Sequence, residues 1–463
     1  MSGAYAPLQW LGFAERELLL FAAFWFAVGA LDELAIDLCY GWLRVSGRYR
    51  TGKYHAANAP PQLSGPLAVM VPAWREAAVI GEMAAHALAV WPEADLRVYI
   101  GCYRNDAATV AAATALAGHD PRLRLIIHDC DGPTTKADCL NRLYRALGAD
   151  EARRGSDFAG VVLHAFEDMV HPAGLGAISE ALATADFVQL PVRPELQARS
   201  RWIAGHYADE FAEAHTKALV VRDALGAGIP AAGVGCGFAR EALARIAAQH
   251  HGSPFAADCL VEDYALGLAI SENGGRSRFL RLRDDSGELV ATRSFFPSEL
   301  ATAVRQKTRW IHGIALQEWD RMGWSARPLD CWMRLRDRRG PMTALVLAAA
   351  YLLVVIEGIL LRAAWLGMYR APVMGAMLRW LVAISLMSLV WRTVIRVAIV
   401  TREYGLGEGL RAALRIPIAN VIAIMAGRRA LVAYWRSLRG AAVAWDKTDH
   451  LTLPRATLAA AAR

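Results

Sequence analysis

The chain has no CxxC pair, and its seven cysteines, at positions 39, 102, 130, 139, 236, 259 and 331, are odd in number and scattered. That spacing argues against a zinc site or a disulfide frame and leaves reduced thiols as the reading. No internal repeat is visible, which sets aside solenoids and propellers. There is no nucleic-acid motif and no basic helix with interleaved aromatics, so no nucleic-acid partner is expected despite a net charge of +7. An anionic membrane surface or a phosphorylated ligand accounts for that charge instead. The first apolar run has no net positive leader and no small-residue cleavage site after it, which is not the pattern of a removable signal peptide.

What the chain has in quantity is apolar surface. Of its 463 residues 55% are hydrophobic, and 15 are Trp, a residue that favours membrane interfaces. The length leaves room for two or three domains. "LLLFAAFWFAVGAL", Leu18 to Leu31, covers about 21 Å as a helix, which is short for a span. It continues at helical spacing through "DELAIDLCYGWL", interrupted by Asp32, Glu33 and Asp37. The expectation is one tilted span whose acidic end leaves the bilayer or faces other helices. "RVSGRYRTGKYH" follows, basic without a single acid, and by the positive-inside rule it sets Arg44 onward in the cytoplasm.

Further on, "RLRDRRG" precedes "PMTALVLAAAYLLVVIEGILL", the clearest transmembrane segment. A second span is expected from about Val373 to Val400, with Arg379, Arg392 and Arg396 limiting its lipid-facing side. "LRIPIANVIAIMAGRRALVAYW", interrupted by Pro417, Asn420 and Arg428-Arg429, reads as helices lying in the cytoplasmic interface. A full span is the alternative.

Between about Pro60 and Met322 the pattern changes to short apolar runs alternating with amphipathic helical stretches. "LAVMVPAW" leads to a helix over Ala77 to Val90, "LRVYIGCY" to a helix over Ala107 to Ala117, and "LRLIIHD" follows. This alternation predicts a mostly parallel α/β sheet, in which ligands bind beyond the carboxyl ends of the strands. Glu76, Asp106, Lys136, Asp138 and the pair Glu167-Asp168 all follow such runs.

At these positions a family resemblance becomes visible. "VPAWRE", "YRNDAAT", "GPTTKADCLN", "LHAFEDMVHP", "VEDYALGL" and "RQKTRW" resemble, in order, the motifs of family 2 glycosyltransferases. The last is similar to the QxxRW motif of processive synthases such as those making cellulose. "ELAIDLCYGW", "YADEFAEAHTKALVVRDALGAGIPAAGVGCGF" and "AWDKTDHLTLP" resemble the bacteriophage-adsorption protein B type of inner-membrane glycosyltransferase. The fold this implies is an α/β GT-A domain, a Rossmann-like mixed sheet in the cytoplasm, with transmembrane and interfacial α-helices. The expected division is an N-terminal transmembrane helix with its acidic extension (1–46), the GT-A domain (47–325), transmembrane and interfacial helices (326–440) and a cytoplasmic tail (441–463). Members of that subgroup often carry a further C-terminal domain that binds a cyclic dinucleotide. Such regulation would act through a domain absent from this chain.

Sugar transfer from a nucleotide donor requires the diphosphate to be neutralised, the acceptor hydroxyl to lose a proton and the acceptor to be held. The resemblance implies Asp263 as general base, with Glu262 beside it, in a motif whose usual Thr is Val261. Read from position alone, the two acids are also a helix N-terminal pair stabilised by the macrodipole. The resemblance also implies Arg309 near the diphosphate and Trp310 on the acceptor sugar, with Gln306 one helical turn away. An interfacial helix anchored by Trp and Arg is the bland alternative. Glu76, Asp106, Lys136 and Asp138 would contact the donor. The loop "GVGCGF", around Gly235, lacks a phosphate-loop Lys-Ser and suits close approach of backbone to the acceptor.

In "HAFED", His164 to Asp168, related proteins read H-D-A-E-D, so Ala165 stands where the first metal-motif Asp is expected. Glu167 and Asp168 remain as hard oxygen ligands for Mg²⁺ or Mn²⁺. His164 and His171 are expected to be structural. The implied activity is inverting transfer from a UDP-sugar, with an N-acetylhexosamine the first choice, to a growing polysaccharide acceptor. The enzyme would be multi-pass in the lipid bilayer of the bacterial inner membrane, with an outer-membrane export or porin partner. The alternatives are a catalytically weakened scaffold of an export complex and a single-sugar transferase to polyprenyl phosphate.

Overall fold

The computed structural model describes residues 6–55 and 63–440, and the tail expected at 441–463, with "AWDKTDHLTLP", lies outside them. Its centre is a seven-stranded sheet. The strands are β1 (Leu67–Pro72), β2 (Leu96–Tyr103), β3 (Leu123–His128), β4 (Gly160–Leu163), β5 (Phe187–Gln189), β6 (Cys236–Ala239) and β7 (Ser277–Phe279), in spatial order β3-β2-β1-β4-β6-β5-β7. All neighbours are parallel except β6, which runs antiparallel to both β4 and β5. The sheet is therefore mixed.

The apolar runs form strands because both faces of the sheet are covered. In β1, Leu67, Val69 and Val71 pack on one side with Ile80, Met83 and Leu88 of helix Ile80–Val90. Ala68 and Met70 point the other way, towards Leu140, Leu143 and Leu147 of helix Lys136–Arg154. This is the two-residue alternation of a strand read by two cores at once. The helix starts are set by side chains: Asp106 caps helix Ala107–Ala117 through the Thr109 N–H, and Thr135 caps helix Lys136–Arg154 through the Asp138 N–H.

Among the described residues four helices are long and apolar enough to cross a membrane: Pro7–Val45, Gly340–Trp365, Ala376–Tyr404 and Leu406–Ser437. The first belongs to one continuous helix, Ala6–Val45. Its acidic end faces protein. Glu33 pairs with Arg336 (3.0 Å) and Arg339 (2.6 Å), Asp32 pairs with the same two arginines, and Asp37 meets Lys217 at 2.6 Å. Lys217 also meets Glu213 at 3.1 Å, and Glu213 meets Arg396 at 3.0 Å. A buried lysine is tolerated because carboxylates from two parts of the chain surround it. The network joins the N-terminal helix, the sheet domain, helix Pro328–Arg338 and helix Ala376–Tyr404.

The segment after Arg402 differs from the expectation of several helices. It is one helix of 32 residues, with Pro417 inside it, that starts after Gly405 at φ 88°. Proline removes one helical hydrogen bond and crowds the preceding turn. Tertiary contacts on both sides outweigh that cost. Arg415 is buried against Asp209 (2.6 Å) and Glu408 (2.7 Å). Ile422 and Ala426 pack on Ala303 and Val304, and Tyr434 donates to Asp320 at 2.7 Å. The helix keeps contact with the sheet domain along most of its length.

Candidate active site

A cavity of about 460 Å³ opens beyond the carboxyl ends of the central strands. Four segments supply the lining residues singled out in the sequence. Lys136 opens the helix after β3, and Ala165 to Asp168 form the loop after β4. Glu262 and Asp263 begin helix Glu262–Glu272, and Gln306, Arg309 and Trp310 occupy the last turns of helix Leu300–Trp310.

Lys136 joins two of these segments. Its Nζ lies 3.2 Å from Asp263 Oδ2 and 3.4 Å from Glu262 Oε1. Burial pulls the ammonium pKa down, but Asp263 and Glu262 more than reverse this and hold it above its ordinary value. Burial raises the Glu262 carboxyl, Lys136 opposes the rise and Asp263 adds to it. Asp263 Oδ1 also accepts from the Tyr264 N–H at 2.8 Å, which fixes the carboxylate plane.

Helix Leu300–Trp310 continues directly into a π-helical stretch, Ile311–Gln317. Such wide turns are frequent at functional sites. Here the stretch clamps the loop before the acid pair. The Gln317 amide accepts from the Leu260 N–H (3.0 Å) and donates to the Asp258 carbonyl (2.9 Å), and the Cys259 thiol donates to Glu318 at 2.9 Å. Gly313 lies against Val261, where a Cβ would come within 2.7 Å of the valine methyl. Val261 is buried with Cys259, Tyr264 and Leu268, and with Trp310 and Ile314 alongside. A methyl in place of a hydroxyl suits that surrounding and leaves no polar atom unpaired.

Arg309 Nε and Gln306 Oε1 are buried and unpartnered among the described residues. Both residues line the cavity. Trp310 stands with Tyr207, Phe211 and Phe296 in an aromatic wall, its ring centroid 6.0 Å from that of Tyr207.

Other residues singled out in the sequence lie apart from the cavity lining. Asp106 is a helix cap, and its second oxygen accepts from the Arg75 N–H at 2.5 Å. Glu76 is buried at the start of the turn before helix Ile80–Val90, its N–H on Thr109 Oγ1. Asp138 pairs with Arg142 at 3.1 Å. Gly235 packs on Thr292 rather than on the acids. The glycine at the acids is Gly233, which sequence reasoning did not separate from its loop. It has φ 76°, and a Cβ there would lie 1.9 Å from Asp263 Oδ2. Only the three-dimensional approach of that loop to the helix start reveals it.

Asp168 and Glu167 both line the cavity. Asp168 Oδ2 accepts from the Ala165 N–H (2.9 Å) and lies 3.0 Å from His164 Nδ1. No lysine or arginine pairs with Asp168 among the described residues. Two hard carboxylates beside a cavity that also holds Lys136 and Arg309 fit a divalent cation shared with phosphate oxygens. A second group, His171, Asp284 and Glu288, has metal-like spacing. Its hydrogen bonds point the other way. His171 Nδ1 accepts from the Ala173 N–H at 3.1 Å, so the neutral ring carries its proton on Nε2, which faces Asp284 at 3.4 Å. Arg293 already pairs with Glu288 at 2.8 Å.

Comparison with known proteins bears on the family and the fold. Residues 64–313 match the family described as "Glycosyltransferase like family 2". The chain is 34% identical over 455 residues to "Bacteriophage adsorption protein B" of Escherichia coli (strain K12), covering 91% of this chain and 60% of that protein. "Bacteriophage N4 adsorption protein B" of Escherichia coli O157:H7 gives the same identity and coverage. The chain thus spans about 60% of the length of these relatives. Among solved structures, "Mannosyltransferase PcManGT from Pyrobaculum calidifontis in complex with GDP-Man and Mn2+" superposes with a TM-score of 0.52 at 17% identity, covering 88% of this chain and 98% of that one. That likeness concerns the fold, helices included. The chain belongs to glycosyltransferase family 2, and its sheet domain has the GT-A fold.

Proposed function

We propose that this glycosyltransferase moves a sugar from a nucleotide diphosphate donor, a UDP-sugar by family analogy, to the hydroxyl of a growing polysaccharide. The observation that carries the reading is the meeting of Lys136, Arg309 and the Glu262-Asp263 pair around one cavity. Asp263 takes the proton from the acceptor hydroxyl as its oxygen forms a bond to the anomeric carbon. The bond from that carbon to the diphosphate breaks, and the electron pair leaves with UDP. Displacement from the opposite face inverts the configuration. Arg309 and Lys136 balance the charge that develops on the diphosphate. Trp310 offers a flat apolar face to the acceptor ring, and Phe211 and Phe296 exclude water beside it. Asp168 and Glu167 would hold Mg²⁺ or Mn²⁺, which when bound neutralises diphosphate charge.

By family analogy Glu76, Asp106 and Asp138 would contact the donor, with Asp106 and Asp138 oriented by the protein groups that already engage them. The four apolar helices support a membrane-embedded enzyme. The basic "RVSGRYR" and "RLRDRR" segments support a cytoplasmic sheet domain in the inner membrane. In this reading helix Leu406–Ser437 lies along the interface beneath the domain. Export of the product, an outer-membrane partner and an N-acetylhexosamine as donor sugar rest on family analogy. A weakened scaffold is the second reading, and Ala165 favours it. Release of UDP or GDP by the purified protein, with Mg²⁺ or Mn²⁺ and a panel of nucleotide sugars, separates the two. No release from any donor would favour the scaffold.

A further inference from the structure

A second cavity, of about 440 Å³, lies where the N-terminal helix and helix Ala376–Tyr404 end against the sheet domain. Five cations line it: Arg44, Arg50, Lys53, Arg283 and Arg402. They come from three separated parts of the chain. A basic loop after a membrane helix needs only the first three to satisfy the positive-inside pattern. It does not require Arg283 and Arg402 to converge on them.

Asp284 and Asp285 line the cavity as well, and each faces a histidine. Asp285 pairs with His55, Asp284 faces His171 at 3.4 Å, and Glu403 holds Arg281 (2.6 Å) and Arg283 (3.0 Å). That leaves Arg44, Arg50, Lys53 and Arg402 with no carboxylate partner among the described residues. One pairing concentrates the charge further. Strand Gly52–Lys53 runs parallel to Leu282–Arg283, with Lys53 opposite Arg283. Like charges directly opposite across strands are unfavourable. Glu403 balances Arg283, which leaves Lys53 as the cation of this pair with no carboxylate partner among the described residues.

We propose that this cavity binds a phosphate-bearing anion. Guanidinium forks and an ammonium match phosphate oxygens, with the arginines able to bind two oxygens at a time. The phosphate can belong to an anionic phospholipid headgroup, since two membrane helices end here, or to a soluble phosphate compound. The site is separate from the sugar-transfer cavity, and its test does not depend on transfer.

The test uses the full chain in phosphatidylcholine nanodiscs with and without phosphatidylglycerol. Phosphatidylglycerol retained per protein is counted by native mass spectrometry, and inorganic phosphate is titrated into the phosphatidylcholine discs with the melting temperature as readout. The variant Arg50→Gln/Lys53→Gln/Arg402→Gln is compared with Arg145→Gln/Arg153→Gln/Arg154→Gln, which removes as many charges from exposed positions on helix Lys136–Arg154. Neutralising the three cavity cations is expected to weaken binding roughly 100-fold, at the usual worth of a basic residue facing anionic lipid, while the control stays within about twofold of wild type. Selective loss of phosphatidylglycerol identifies a headgroup site. A selective loss of the phosphate response identifies a soluble ligand. Equal losses in both variants, or no binding of either probe by the wild type, overturns the proposal.

Discussion

The ammonium of Lys136 sits 3.2 Å from the carboxylate of Asp263, and the two come from helices on different strands' ends of the sheet. The pair means that the proposed base and a proposed phosphate ligand neutralise each other when no donor is present. A diphosphate entering the cavity offers Lys136 a second anion, and Asp263 then turns from a partner of lysine into a base for the acceptor.

Asp263→Asn is therefore expected to lose sugar transfer by about 10²–10⁴-fold, the usual worth of a positioned base. Donor affinity should hold or tighten slightly, because Lys136 is released from one of its two acids. Transfer assays paired with UDP titration check this. Near wild-type transfer would remove Asp263 from the base role.

Gly233→Ala should fold and yet transfer poorly. The substitution puts a methyl into the space of Asp263 Oδ2 and strains a backbone at φ 76°, a cost of about 1–2 kcal/mol. Displacing the base by even about 1 Å costs on the order of 10²-fold in rate. Circular dichroism and turnover, measured together, separate the two effects. If turnover is unchanged, the close approach of Gly233 to Asp263 has no bearing on catalysis.

Glu262→Gln gives a pH-dependent test. Burial raises the Glu262 carboxyl above its ordinary range. A raised carboxyl favours the fold while protonated, below its unfolded pKa, and that contribution is lost as the pH rises through the folded pKa. The glutamine never ionises. Relative to wild type it is expected to be nearly neutral in acid and more stable at neutral pH, with Asp263 still holding Lys136. Melting temperatures from about pH 4 to pH 8 should show a difference that widens with pH. A difference that is constant across that range would contradict the raised carboxyl.

Much of this arrangement is legible in the sequence. β2 is the quoted run "LRVYIGCY", and helix Ala107–Ala117 has the expected bounds, because buried parallel strands and their helices have strong local periodicity. Lys136, Asp168, Asp263 and Arg309 could be named from motifs because the family's chemistry fixes both residue type and order. What escaped was set by contacts between distant segments. Asp106 follows a strand as a ligand residue would, and the structure adds a role that local pattern does not show, its oxygens accepting from the Arg75 and Thr109 backbone N–H groups. The continuity of helix Leu406–Ser437 through Pro417 depends on Arg415 and Ala426 docking on residues some two hundred and one hundred positions earlier, which no local pattern encodes. The π-helical stretch after Trp310 is likewise a consequence of Gln317 and Glu318 reaching the loop at Cys259.

Trp310→Ala is expected to weaken acceptor use more than donor binding. The ring forms part of the aromatic wall with Tyr207 and Phe211 and lines the cavity. Truncation also leaves a void, with a loss of about 3–5 kcal/mol for a large aromatic. Trp310→Phe keeps most of the packing and serves as the folded comparison. Acceptor dependence of the rate should rise in both variants while the Kd for UDP stays within about twofold, well under the 1.4 kcal/mol of a tenfold change. An equal loss of UDP affinity would place Trp310 on the donor side.

Ala165 gives a test of the proposed metal site. Its N–H donates to Asp168 Oδ2 at 2.9 Å, and it lines the cavity beside Glu167. Ala165→Asp adds a carboxylate next to two others. With Mn²⁺ present the extra charge is balanced by the cation, and UDP binding or turnover should increase. With chelator the same charge repels the diphosphate, and UDP binding should weaken by about 1 kcal/mol or less, the size of one interaction between charges at about 4 Å in a solvated site. The reversal of sign between the two conditions distinguishes a metal ligand from a general change in charge. Calorimetric titration of UDP into both proteins, first with Mn²⁺ and then with chelator, measures it. A change of the same sign in both conditions would put Ala165 outside the metal's reach and leave Asp168 and Glu167 to bind it alone.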